Sequence, residues 1–103
     1  MTLGNFAKYI RSKNAGPFWL TMEIFLKSKD DFDRLVTLQV VTPELISKLY
    51  GTPADQVQIF LCENINIIKI SLPRPVIQGS LPDKDIHAGQ QFTRLAAVEI
   101  NGL

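Results

Sequence analysis

The chain has 103 residues, 46% hydrophobic and 20% charged, with eleven Lys and Arg against ten Asp and Glu for a net charge of +1. That length fits one domain, 1–103, with a modest core, and the apolar content is that of a globular chain. There is no basic excess of the kind that marks a nucleic-acid binder, and no apolar run approaches the roughly 18 residues of a membrane span.

The lone Cys62 forbids an internal disulfide and fits a reducing, cytoplasmic setting. The opening segment is mixed in polarity, unlike a secretory signal. Leu3, Phe6, Ala7 and Ile10 recur at helical spacing, which predicts a helix from Leu3 to Arg11 with Thr2 as its cap. Ser12-Lys13-Asn14-Ala15-Gly16-Pro17 then breaks the pattern as a turn. Phe18 to Lys27 alternates as a strand. Phe18, Leu20, Met22, Ile24 and Leu26 are expected on the core side, and Trp19, Thr21, Glu23, Phe25 and Lys27 on the other. Two aromatics among polar residues mark Trp19 and Phe25 as a contact surface for a partner, unless a neighbouring loop covers them.

Lys29 to Thr37 is predicted helical, with Asp30 and Asp31 favouring its positive end and Phe32, Leu35, Val36 and Leu38 inward. Pro43 to Tyr50 is a second helix, begun by Thr42 and Pro43 and ended by Gly51. Strands follow over Val57 to Cys62 and Asn66 to Leu72, with Asn64 in the tight connection between them. The doublet Ile67-Ile68 points to a bulge or an ambiguous register. Pro73-Arg74-Pro75 ends the second strand, because proline donates nothing to a ladder. Val76 to Thr93 reads as a polar loop of the length that is usually functional, and Leu95 to Ile100 as a closing strand. The expected fold is α+β and ferredoxin-like. It has a mostly antiparallel four-stranded sheet, helices packed on one face and an extra N-terminal helix.

Three places offer chemistry. The turn from Arg11 to Gly16 gathers two cations, a hydroxyl, an amide and a glycine, a composition able to receive a carboxylate or phosphate, although it is not a P-loop. The prolines around Arg74 would hold a guanidinium in a fixed direction. The long loop carries Asp83, Asp85, His87, Gln90 and Gln91, with a lone histidine available for proton transfer. Each also has a plain reading as a solvated turn, strand end or loop. One His with two Asp falls short of a zinc signature, so no metal is expected. No dinucleotide fingerprint, nucleophile elbow or Cys-His cluster occurs, so no cofactor and no catalytic residue is assigned.

The run from Ala7 to Phe18, together with Thr42-Pro43-Glu44-Leu45, Leu49-Tyr50-Gly51, Ile70 to Pro75 and Gly89-Gln90-Gln91, resembles a bacterial family of roughly 100-residue proteins. Those proteins have no assigned activity. They are encoded beside or fused to acyclic-terpene-utilisation (AtuA-like) proteins and are similar to the ferredoxin-like domain at the C-terminal end of the latter. That domain carries an Arg-Ser-Gly-Asp-Lys-Gly loop. Arg11, Ser12 and Gly16 match it, whereas Lys13, Asn14 and Ala15 depart from it. The resemblance implies a non-catalytic accessory subunit that docks on an AtuA-like partner and contributes to an organic-acid or acyl-CoA-related site. Arg11, Ser12, Lys13, Asn14, Gly16, Arg74, His87 and Gln91 would then face an anion. A stand-alone module for a carboxylate or CoA ester, self-associating through a sheet face or edge strand, is the alternative. An independent acid–base enzyme built on His87 ranks below both.

Overall fold

A computed structural model describes residues 1–16, 18–73 and 92–101. The described elements are α1 (Leu3–Phe6), β1 (Tyr9–Asn14), β2 (Trp19–Phe25), α2 (Lys29–Thr37), α3 (Pro43–Tyr50), β3 (Gln58–Cys62), β4 (Ile67–Pro73) and α4 (Thr93–Ala96). The strands form one antiparallel sheet in the order β1-β2-β4-β3. Both β2 and β3 run antiparallel to β4, which lies between them, so they are parallel to one another, and α2 and α3 make the crossover. This split β-α-β core is consistent with a ferredoxin-like α+β fold.

The helices begin and end where the side chains dictate. Ser28 Oγ accepts from Asp31 N–H at 3.1 Å to cap α2, and Thr42 Oγ1 accepts from Leu45 N–H at 3.1 Å to cap α3. Gly51 closes α3 with a left-handed φ of 72°. Phe32 and Leu35 of α2 and Ile46 and Tyr50 of α3 are buried against one face of the sheet. That face presents Ile10, Leu20, Met22, Ile24, Ile68, Ile70 and Leu72, all buried. Burial of each large aliphatic chain contributes on the order of 1.5–3 kcal/mol, so this layer dominates the stability.

Five sequence expectations are corrected. The helix predicted from Leu3 to Arg11 stops at Phe6. Ala7 is already extended, and Tyr9–Asn14 is an edge strand hydrogen-bonded to β2. The segment Leu95 to Ile100 is not a sheet strand. It begins in the helical turn α4, and Glu99 makes only an isolated bridge with Thr2. Arg, Leu and Ala are strong helix formers, which favours the turn over a strand. The fourth strand of the sheet is therefore the N-terminal β1. The register between β2, β4 and β3 runs unbroken through Ile67 and Ile68, with no bulge. Phe18 is exposed because it belongs to the β1–β2 turn, and Leu38 is exposed because it is the C-cap of α2. The proposed loop over 76–93 lies almost wholly outside the described residues.

Candidate functional site

A strand turns alternate side chains to opposite faces, so the sheet face away from the helices is set by the register. Across it run successive rows. Tyr9, Phe25, Ile67 and Cys62 form the first, and Arg11, Glu23, Lys69 and Phe60 the second. Lys13, Thr21, Ser71 and Gln58 form the third, and Trp19 stands beside Pro73 in the last.

None of the described helices packs on this face, and its exposed large residues include Tyr9, Trp19 and Phe60. The rings of Tyr9 and Phe25 stack at 4.2 Å between centroids with 21° between planes. The Arg11 guanidinium lies 5.1 Å from the Phe25 centroid and donates from Nε to Glu23 at 2.8 Å. Glu23 is thus largely covered, its side chain 15% exposed against 54% for Arg11. Lys13 and Lys69 stand exposed on the same face without an ion pair among the described residues. The face therefore combines aromatic area with an excess of positive charge.

The anion-facing set is divided by this geometry. Arg11 and Lys13 project to the open face, while Ser12 projects to the opposite one, where it is buried. Ser12 Oγ accepts from Phe92 N–H at 3.1 Å, so this hydroxyl already holds the chain preceding α4. Asn14 is half-buried at the end of β1, and Gly16 sits in the hairpin turn with φ of 85°. That positive φ explains the glycine there. Arg74, His87 and Gln91, with Asp83, Asp85 and Gln90, lie outside the described residues. Among the described residues no cluster of three His, Cys, Asp or Glu is placed to hold a metal. No described helix is long and apolar enough to cross a membrane.

Trp19 and Phe25 do share one face with each other, as the alternation of β2 predicted. The residues that sequence reasoning missed are Tyr9, Phe60 and Lys69. Tyr9 was hidden by the helical reading of its segment. Phe60 and Lys69 were recoverable, since two outward positions on recognised neighbouring strands must share a face.

These features define a class: a small α+β module with one sheet face packed by helices and the other, among the described residues, carrying no helix although Thr21 at its centre is buried. Within it, the chain belongs to the family described as Domain of unknown function (DUF4387), whose model matches residues 3–99. Comparison with curated proteins and with solved structures gives no match.

Proposed function

We propose that this protein is a non-catalytic accessory module that docks on an AtuA-like protein through the open face of its sheet. The observation that carries the reading is the coincidence on that face of Tyr9, Trp19, Phe25 and Phe60 with Arg11, Lys13 and Lys69. Aromatic residues and arginine are the anchors of protein interfaces, the aromatics because they bury large area at low entropic cost and arginine because its planar guanidinium stacks and hydrogen-bonds at once. The uncompensated lysines select a partner surface that is acidic around an apolar centre. The same cations at the rim of the interface would supply charge to an organic-acid or acyl-CoA site on the partner.

Co-purification of the tagged chain with an AtuA-like protein of its native host tests this. The expected result is a stoichiometric complex that Trp19→Ala with Lys69→Glu abolishes, while the variant keeps its circular dichroism. Recovery of the chain alone, from cells shown to express the partner, would sink the reading.

The second reading, a stand-alone module for a carboxylate or CoA ester, is favoured by Lys13 and Lys69 standing exposed on one face that also carries the half-buried Ser71. A thermal shift with carboxylates or CoA esters that Lys13→Ala removes would establish it in place of docking.

A further inference from the structure

The sheet has two outer edges, and they differ in chemistry. Edge β1 carries Arg11 and Lys13, and charged side chains of this kind discourage pairing with another chain. Edge β3 reads Gln58-Ile59-Phe60-Leu61-Cys62, with no charge, no proline and no bulge. Among the described residues no strand pairs with its outer side. Phe60 and Leu61 are 46% and 53% exposed, and Ile65 just beyond is 63% exposed. Behind the strand, on the helix side, a groove of about 410 Å³ has Leu35, Val36, Ile59, Leu61 and Ile68 on its walls, with Gln39 and Glu44 on its α3 side.

The geometry points to self-association of this chain through β3, with two copies joining their sheets edge to edge about a two-fold axis centred on Phe60. Such an axis stands perpendicular to the sheet, so it pairs residues that share a face, and only even-numbered registers are allowed. Centring on Phe60 pairs all five residues of β3: Gln58 with Cys62, Ile59 with Leu61, and Phe60 with its own copy. A shift by two residues in either direction pairs only three, and one of the two shifts brings Glu63 opposite Ile59 at the groove. In the centred register no charge of the strand meets another. On the open face Phe60 packs on its copy, and on the helix side Ile59 and Leu61 of the second copy complete the wall of the groove.

The area sets the strength. A five-residue strand spans about 17 Å, and a sheet-and-helix slab is roughly 20 Å thick, so the strip falls short of the roughly 800 Å² per partner of a standard interface. The dimer is accordingly weak and concentration-dependent. It covers Phe60 at the margin of the open face, leaves Tyr9, Trp19 and Phe25 uncovered, and does not rest on the docking proposal.

Sedimentation equilibrium from micromolar to millimolar protein tests the inference. The expected result is a mass that climbs from one copy toward two, and a Phe60→Glu variant that stays at one. Within a single copy that glutamate faces Lys69 across the ladder, which keeps the fold. Across the two-fold it faces its own charge. A second variant reads the register. Gln58→Cys places a thiol beside Cys62 of the second copy, so a short bismaleimide gives a covalent dimer. The wild type, with Cys62 alone, does not cross-link, because its two thiols stand about 14 Å apart. A single copy at every concentration overturns the proposal. So does a dimer that Phe60→Glu leaves intact, or a Gln58→Cys variant that dimerises without cross-linking.

Discussion

Gln39 is the residue whose backbone works hardest against its side chain. It follows the C-cap of α2 with φ of 51°. Its N–H donates to Val36 O at 3.1 Å, and Val40 N–H donates to Leu35 O at 3.3 Å, the paired bonds of a Schellman cap. Glycine normally occupies this left-handed position because a Cβ is strained there. Gln39→Gly is expected to raise stability by about 0.5–1 kcal/mol in chemical denaturation. Asn66, at φ of 56°, is a residue that tolerates the region, and Asn66→Gly should gain less. Tyr50 is the opposite case, a side chain that the fold uses fully. Its buried hydroxyl accepts from Leu95 N–H at 3.2 Å, and the Arg94 guanidinium lies 5.9 Å from its ring centroid. Tyr50→Phe leaves a buried amide without that acceptor and should cost about 1–3 kcal/mol in the same measurement. Burial pushes the Tyr50 hydroxyl up from its ordinary 10 to about 12, with the Leu95 amide and Arg94 pulling partly back. The folded state thus holds the proton more tightly than the unfolded one. The stability this supplies is complete below pH 10 and is lost as pH rises toward 12. A pH series of unfolding midpoints should show an alkaline decline that is smaller in Tyr50→Phe.

At the scale of elements, the sequence spoke clearly wherever local chemistry and tertiary demand agreed. The ends of α2 and α3 were legible to the residue, because acidic first-turn residues in one and Thr42, Pro43 and Gly51 in the other mark them. The buried face of β4 was legible from Ile68, Ile70 and Leu72. Strand β1 was not, and the reason is specific. Ile10 completes a helical stripe with Phe6 and Ala7 as well as it begins a strand, and the next inward position is Ser12, a polar residue satisfied by a hydrogen bond 80 positions away. No local pattern carries that information. The C-terminal part was misread because Val98 and Ile100 bond to Leu3 and Met1, not to the sheet. Within this junction α1 and α4 meet closely at Gly4. A Cβ there would stand 3.1 Å from Ala96 Cβ and 3.2 Å from its carbonyl oxygen. Gly4→Ala should therefore force the two elements apart and cost about 1–3 kcal/mol, measured by thermal or denaturant unfolding.

At the scale of the molecule, the two faces of the sheet differ in what they contribute to stability. One face is filled by α2, α3 and the segments at either end of the described chain, and its residues hold the fold together. The other keeps aromatic area and cations in the open, where they contribute little to folding. The Arg11–Glu23 pair across β1 and β2 is of this kind, half in solvent, and pairs so exposed contribute on the order of 0.2–1 kcal/mol. The proposed contact surface is half legible: the outward positions of β2 name Trp19 and Phe25, whereas Tyr9, Phe60 and Lys69 join them only once the neighbouring strands are in register. The expected anion-facing set is less so, because most of the segment read as a turn is a strand that sends Arg11 and Ser12 to opposite sides.

The central claim is that the open face is the docking surface, and lysine footprinting tests it most directly. Brief acetylation of the chain, alone and with an AtuA-like protein as the proposed partner, followed by mass spectrometry, reports each lysine separately. Lys13 and Lys69 lie on the open face, while Lys29 and Lys48 belong to the helices behind the sheet. The account predicts that the partner shields Lys13 and Lys69 and leaves Lys29 and Lys48 reacting as before. Shielding of the helical lysines with unchanged labelling of Lys13 and Lys69 would contradict it.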